Sequence, residues 1–423
     1  MLLFLCYNLI NNREDDNMNK KLLTAVFILL ILAIDVYVTV RERRTESIKI
    51  NSNVVYDETT KTYYYSYNDQ VPIRITENIT SDKIKDNYTF RYNNQDLKIT
   101  TLPIMNIIKD EEYEYKISNI NVDIFYDFNN YKGYLTILDN KNYELDFNNK
   151  KYYLNSMSDD KELIRNIFSN NLWGKKYKYI ELFINGEYSG IYTLGYRDID
   201  KLNDQEYVFY KSSPSNTEAD YTFLGKMEGY ILYDKDFKRV TKDNPDDNLF
   251  IAWERLKEYY SAFENKDDLV GKVSSSSIDI YLYYLLIQAE NSNKNGTFYN
   301  TYLAYRKTDN SYRIEYIPGN ITNTFNYNNT SSNNTFIMKY NPTSRLIELN
   351  DDKTISKVKD RYSELRRGDW SDYNINKMID EYEDQLILSG TLKRNHSNLT
   401  NLDTFREYVN NRLKSLDQYI NSL

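Results

Sequence analysis

One run of 19 residues, 22–40, reads LLTAVFILLILAIDVYVTV and is apolar at nearly every position. A helix of this length rises about 28 Å, close to the thickness of one hydrocarbon core. Asp35 is its only charged residue, and no small-residue cleavage pattern follows the run. A buried helix of a globular domain normally keeps a polar face, which this run lacks. The sequence therefore predicts one uncleaved transmembrane helix.

The orientation of this helix is predicted from the position of the only cysteine rather than from the charges that flank the helix. Basic residues flank the run on both sides in nearly equal number, so the positive-inside rule decides little. The only cysteine, Cys6, precedes the run, and a cysteine-free remainder suits an oxidising compartment. We expect a single-pass membrane protein, held in the bilayer by residues 22–40, with an extracytoplasmic C-terminal domain.

These features predict how the chain is organised. Residues 1–21 are expected to form a short cytoplasmic N-terminus. We interpret residues 1–17 as lying upstream of the true translation start, which would then be Met18 of the MNKK sequence. The anchor at 22–40 is followed by a β-rich stalk or N-terminal region at 41–100. Residues 101–423 form the main domain.

Composition excludes several classes of function. The net charge of −8 and the pI near 5.1 argue against a nucleic-acid-binding surface, which needs a basic face. One Cys and one His exclude a disulfide scaffold and a Cys/His zinc site. The 44 Tyr and 17 Phe provide enough apolar surface for a large core.

The hydrophobic pattern changes along the chain. Alternating polar and apolar residues predict strands over much of 45–155. Residues 178–184 and 190–196 read as two strands around Asn185-Gly186, a strong hairpin signal. Residues 343–423 keep the spacing of amphipathic helices. The predicted class is α+β, with a β-rich N-terminal part and a helical C-terminal part.

Several segments, in order, resemble the CotH-type (spore coat protein H) atypical kinases. The most recognisable one is YIELFINGEYSGIYTL, which is similar to a hairpin of that family. The segments that carry the resemblance are 141–173, 179–194, 209–213, 278–306, 312–325, 345–370 and 405–420. The resemblance implies a two-lobed protein-kinase-like fold, and an activity in which ATP and magnesium serve to phosphorylate protein hydroxyls.

At the catalytic and metal motifs the sequence departs from this family. The family's Asn-x-Asp falls on Asn293-Lys294-Asn295, so Asn295 stands where the catalytic Asp belongs, and Asn300 matches a downstream Asn. The family's two metal-binding Asp residues fall on Asn320 and Thr322. Magnesium needs oxygen anions, so these replacements predict the loss of tight Mg·nucleotide binding.

Three other residues are candidates for retained chemistry. Residues 291–303 and 317–333 contain no Asp or Glu, so Glu290 is the nearest substitute acid for the metal, and Asp198 lies near another acidic position of the family. Lys141 aligns near the family's Lys-rich strand and is a candidate contact for a nucleotide phosphate.

The resemblance and its gaps together predict a pseudokinase that acts by binding in spore coat or cell-envelope assembly. It would need no cofactor, and its partner would be a protein of the coat or envelope rather than a nucleic acid. Two alternatives stay open. One is an active atypical kinase that uses a substitute carboxylate with ATP and Mg, and the other is a purely structural surface protein.

Overall fold

The structure is a computed structural model, and it describes only part of the chain. The described residues are 54–67, 75, 77–112, 117–124, 129–137, 142–147, 150–158, 160, 162–196, 207–210, 231–233, 255–256, 258–259, 261–287, 301–307, 312–319, 321, 324–325, 341–395 and 401–423. Apart from Val54, they all belong to one compact unit formed by residues 55–68 and 75–423.

The first sheet has four strands in the order β1-β2-β4-β3. Its strands are β1 Val54–Asp57, β2 Thr62–Ser66, β3 Thr89–Tyr92 and β4 Gln95–Thr100, and helix α1 Ser81–Lys85 lies between β2 and β3 in the chain. Strands β2 and β4 run parallel, and β3 and β4 are antiparallel. Thr80 caps α1 by accepting a hydrogen bond from Lys83 N at 3.4 Å.

Seven further strands close into a barrel. They are β5 Ile104–Glu112, β6 Ile117–Ile124, β7 Asn129–Ile137, β8 Tyr143–Phe147, β9 Lys150–Ser156, β10 Lys178–Ile184 and β11 Glu187–Tyr196. Their order is β10-β11-β9-β8-β7-β6-β5, and parallel pairing of β10 with β5 completes the circle. Alternate residues such as Ile180, Leu182 and Leu194 fill the interior, because successive side chains of a strand point to opposite faces.

The predicted hairpin is confirmed, with a tighter turn than expected. Ile184 pairs with Glu187, so the loop consists of Asn185 and Gly186 alone. Their φ values are +52° and +81°, as a type I′ turn requires, and the twist of this turn matches that of the two strands. Strand β11 therefore begins at Glu187, three residues before the predicted start.

Replacing Gly186 with valine is expected to destabilise the domain by about 1–3 kcal/mol through backbone strain. A Cβ atom at this position would also lie 3.3 Å from the carbonyl oxygen of Tyr56. Urea unfolding of the purified chain measures the change. Asn185→Asp is the control and should be milder, because Asp tolerates positive φ. Equal midpoints for wild type and Gly186→Val would contradict this account of the turn.

The helices surround a third sheet of order β13-β12-β14-β15. The strands are β12 Tyr207–Tyr210, β13 Ile231–Tyr233, β14 Thr301–Lys307 and β15 Tyr312–Pro318. The helices are α2 Arg165–Leu172, α3 Lys266–Val270, α4 Ser275–Ile287, α5 Pro342–Glu348, α6 Asp352–Arg367, α7 Asp372–Leu388, α8 Thr391–Asn395 and α9 Asp403–Ser422.

Helix α4 lies at the centre of the main core. From Ser277 to Ile287 every side chain except that of Asp279 is buried, which explains why the sequence has almost no polar face there. Its neighbours in the core include Leu303 of β14, Tyr316 of β15 and Leu413 of α9. The surrounding helices start at ordinary side-chain caps, such as Asp351 at α6 and Ser371 at α7.

The predicted transmembrane helix is contradicted. Within the described ranges, no helix combines the length and the apolar character needed to cross a bilayer. The longest, α9, has 20 residues and includes charged residues such as Arg406 and Asp417, whereas the most apolar, α4, has only 13 residues. This finding corrects the fold class: the described residues form a mixture of sheets and helices, and none of these helices is a membrane span. It also corrects the predicted location as a single-pass membrane protein. Residues 22–40 themselves lie outside the described residues.

Candidate functional site

Every site residue predicted from the sequence lies outside the described residues. This holds for the motif positions, for both substitute acids and for the lysine, namely Asn295, Asn300, Asn320, Thr322, Glu290, Asp198 and Lys141. Around the metal-motif positions Asn320 and Thr322, residues Gly319, Ile321, Thr324 and Phe325 are described, and their contacts can be followed. We refer to residues 319–325, which follow β15, as the β15 loop.

The described part of the β15 loop is buried. Ile321, Thr324 and Phe325 are each at most 2 % exposed. The backbone N–H of Phe325 donates to the carbonyl oxygen of Ile287 at 2.7 Å, which ties the loop to the C-terminal end of α4. These three residues thus belong to the core, and their backbone polar groups need partners inside the protein.

Helix α2 contacts both the backbone and a side chain of the loop. Asn170 Nδ2 donates to the carbonyl oxygen of Ile321 at 2.8 Å. Thr324 Oγ1 donates to the carbonyl oxygen of Arg165 at 2.9 Å, and Ser169 Oγ lies 2.6 Å from Thr324 Oγ1. These contacts are made by neutral amides and hydroxyls, and they fix the loop on both sides of Thr322.

A buried cation also holds this loop. Lys175, which follows α2 and is 6 % exposed, donates from Nζ to the carbonyl oxygen of Gly319. Gly319 directly precedes Asn320, where the resemblance places the first metal-binding carboxylate. An ammonium in this place adds positive charge next to a position that would have to attract Mg²⁺.

Two buried carboxylates lie at the start of α2, and both are bound to the same arginine. Arg165 Nε is 3.0 Å from Asp160 Oδ1 and 3.5 Å from Glu162 Oε2. Asp160 Oδ2 also accepts a hydrogen bond from the backbone N–H of Asn166 at 3.2 Å. These acids are therefore engaged in holding the first turn of the helix.

Two amide oxygens on α2 stand out. Asn166 Oδ1 and Asn170 Oδ1 are buried, and neither finds a hydrogen-bond donor among the described residues. The two residues are four positions apart and so lie on the same face of the helix. Buried acceptors that lack a hydrogen-bond donor are uncommon in folded proteins. These two amide oxygens are therefore unusual polar groups on the helix that contacts the β15 loop.

Three phenylalanines close the far end of the β15 loop. Phe325 packs edge-on against Phe168 of α2 and Phe405 of α9, with ring centroids 5.6 Å and 5.5 Å apart. Phe168 and Phe405 are themselves 5.4 Å apart. Aromatic edges against faces are favourable contacts, so this cluster joins the loop to two helices.

The recognised hairpin carries a second polar cluster, on the outer face of the barrel. Glu181 of β10 is fully buried. Its Oε1 accepts a hydrogen bond from Thr391 Oγ1 at 2.7 Å, and its Oε2 accepts one from Tyr188 OH. Arg394 Nη1 lies 3.3 Å from Oε1, as an ion pair whose geometry falls short of a hydrogen bond.

The charges in this cluster influence one another. Burial raises the pKa of Tyr188 well above its usual value, and the neighbouring Glu181 carboxylate adds to the effect. Burial alone would lower the pKa of Arg394, but Glu181, Tyr188 and Tyr64 together raise it. Arg394 therefore keeps its charge, and its contact with Glu181 joins the barrel to helix α8.

Sequence reasoning missed the polar residues of α2. Asn166 and Asn170 lie in the segment that resembles the family. Their spacing of four residues, which places both on one face of a helix, was the signal that could have identified them. The contacts of Lys175 and Thr324 span 144 and 155 residues, and spacing along the chain does not predict such pairs.

No group of three or more His, Cys, Asp or Glu side chains within the described part of the chain is placed to hold a metal ion. Comparison with known proteins finds no matching family model and no matching curated protein. The resemblance to CotH-type kinases therefore stays a prediction.

Proposed function

We propose that this protein is a CotH-like pseudokinase, which acts by binding a protein partner in coat or envelope assembly rather than by transferring phosphate. The observation that supports this most is the way the β15 loop is held. The ammonium of Lys175 contacts the backbone of Gly319 just before Asn320, and the amide of Asn170 contacts the backbone of Ile321 between Asn320 and Thr322.

The physical argument concerns charge. Phosphoryl transfer depends on positioning and on neutralising the phosphates with metal ions, and magnesium is held by carboxylates. In this chain the two aligned metal positions carry an amide and a hydroxyl, and the buried ammonium of Lys175 binds the carbonyl oxygen of the residue that precedes the first of them. A scaffold of this kind can keep its shape for binding while its affinity for Mg·ATP is lost.

The deciding experiment is ATP binding by the full chain, with magnesium and with EDTA. We expect no magnesium-dependent binding and no magnesium-dependent transfer of labelled phosphate. ATP binding without metal would fit a pseudokinase that keeps a nucleotide pocket, whereas no nucleotide binding at all would favour a purely structural protein. Robust transfer by the unmodified chain would overturn the proposal, and its loss in Glu290→Gln would then identify the substitute acid.

Restoring the carboxylates gives a sharper prediction. The double variant Asn320→Asp, Thr322→Asp should gain magnesium affinity, because each carboxylate contributes roughly 2–4 kcal/mol at an effective dielectric near 20, before desolvation is subtracted. Adding Asn295→Asp is the step expected to recover some transfer. Isothermal titration with Mg²⁺ measures the gain.

The matched control for this titration places the same two charges elsewhere. Asn93 and Asn94 lie in an exposed turn between β3 and β4, and such turns accept Asp readily. Asn93→Asp, Asn94→Asp should leave magnesium affinity unchanged. Equal gains in both double variants would mean that net charge alone, and not the motif, explains the result.

A further inference from the structure

A groove beside the C-terminal end of α2 forms a second candidate binding site, separate from the β15 loop. It has a volume of about 490 Å³ and lies between residues 171–174, Asp369 and the first half of α7. The function proposed above does not use it. The residues of its floor and of its rim determine which kind of ligand it can bind.

The floor of this groove is apolar and partly open. Trp173 and Met378 pack against the main core but remain partly exposed. The indole of Trp173 rests against Tyr283, with ring centroids 5.0 Å apart, so its position is fixed from below. Beside it, a Cβ atom at Gly174 would meet nothing within 4 Å, so the groove is open above this backbone position.

The rim of the groove carries two carboxylates, of Asp369 and Glu381, against one ammonium, of Lys377, so its charge is negative on balance. The exposed carboxylate of Asp369 forms no ion pair within the described ranges. Glu381 is 62 % exposed, and its contact with Lys377, at 4.0 Å, is a weak surface pair. Asn374 donates from Nδ2 to the carbonyl oxygen of Gly368 at 2.9 Å, which leaves its Oδ1 to accept.

We propose that this groove, the Trp173 groove, binds an arginine or lysine side chain in a basic segment of a partner protein. A cation over the face of an indole is attracted by the ring, and the guanidinium of arginine also donates to several acceptors at once. The net charge of −8 attracts a basic partner at longer range. This inference rests on the proposed function and adds the class of partner to it. Its test contains neither nucleotide nor metal, so a negative result here can be told apart from a failure of the proposed function.

The experiment measures binding of a short labelled peptide with two arginines, Gly-Arg-Ser-Arg-Gly, by fluorescence anisotropy. The same peptide with citrulline in place of arginine is the neutral control. We expect the arginine peptide to bind and the citrulline peptide to bind at least about tenfold more weakly, since the charge is what the rim recognises. No binding of the arginine peptide at millimolar concentration, or equal binding of the two peptides, would overturn the proposal.

Charge reversal locates the site. Asp369→Lys, Glu381→Lys should weaken binding of the arginine peptide by at least about tenfold, because both rim carboxylates are lost. The control Asp384→Lys, Glu407→Lys changes the net charge equally at exposed positions outside the groove and should weaken binding much less. Equal losses in both variants would show non-specific attraction and contradict the proposal. Thermal unfolding verifies that both variants are folded.

Tryptophan fluorescence gives a readout at the groove itself. The arginine peptide should change the emission of the wild-type chain and leave that of Trp173→Phe almost unaltered. The phenyl ring keeps an aromatic contact with Tyr283, so this variant should remain folded. An unchanged response in Trp173→Phe would place the peptide elsewhere.

Discussion

Replacing Arg394 with methionine is expected to destabilise the protein by about 3–5 kcal/mol, because the carboxylate of Glu181 is then buried without a counter-charge. Glu181 is fully buried, and the Arg394 side chain is 9 % exposed. Arg394 also lies over the ring of Tyr64, at 5.9 Å from the centroid, so the variant loses this contact as well. Urea unfolding of the full chain measures the change.

The neighbouring lysine provides the control for this prediction. Lys393 is on the same helix and pairs with Asp86 at 2.9 Å, but the two side chains are 57 % and 70 % exposed. Lys393→Met should therefore cost less than about 1 kcal/mol. Combining Arg394→Met with Glu181→Met should recover part of the loss, since a buried pair replaced by apolar groups is often tolerated. Equal costs for Arg394→Met and Lys393→Met would contradict the assigned role of the buried pair.

Truncation of Phe405 to alanine is expected to cost about 3–5 kcal/mol, the range for loss of a large aromatic side chain from a packed core. Phe405 is fully buried and touches the rings of both Phe168 and Phe325. The same substitution should loosen the β15 loop, because Phe325 loses one of the three rings that it contacts, those of Phe168, Phe405 and Tyr408.

Two measurements separate these effects. Chemical unfolding gives the stability change, and hydrogen exchange of the Phe325 amide, which donates to Ile287, reports on the loop. Phe405→Leu is the control, because it keeps most of the apolar volume and should cost clearly less. Unaltered exchange at Phe325 in Phe405→Ala would mean that the phenylalanine cluster does not hold the loop.

Local patterns in the sequence predicted local structure well. The turn at Asn185-Gly186 follows from the positive φ that both positions require, and the helical spacing over 343–423 corresponds to helices α5 to α9. The closure of the barrel was not predicted, because it depends on pairing between Glu181 and Ile104 and their neighbours, which are far apart in the chain. Short alternating strands look alike whether their sheet is open or closed.

The candidate site was only partly accessible from sequence. The motif alignment named Asn320 and Thr322, but it gave no reason to connect them with Lys175, whose ammonium binds the preceding carbonyl group. Glu181 looked like one polar residue in an alternating strand. Its burial depends on helix α8, which begins 210 residues later and covers that face. Contacts of this kind arise from tertiary packing, which local propensity does not encode.

The parallel pairing of β5 with β10 also has a consequence for synthesis of the chain. The paired residues Ile104 and Glu181 are 77 positions apart, and the intervening strands β6 to β9 pair only with neighbours that are close in sequence or with β11. On the ribosome the meander from β5 to β9 can therefore form early, while β5 keeps an open edge until β10 has emerged. Closing this long loop carries a larger entropic cost than forming any of the hairpins. The open edge of β5 is thus where the nascent chain is most exposed to pairing with other chains.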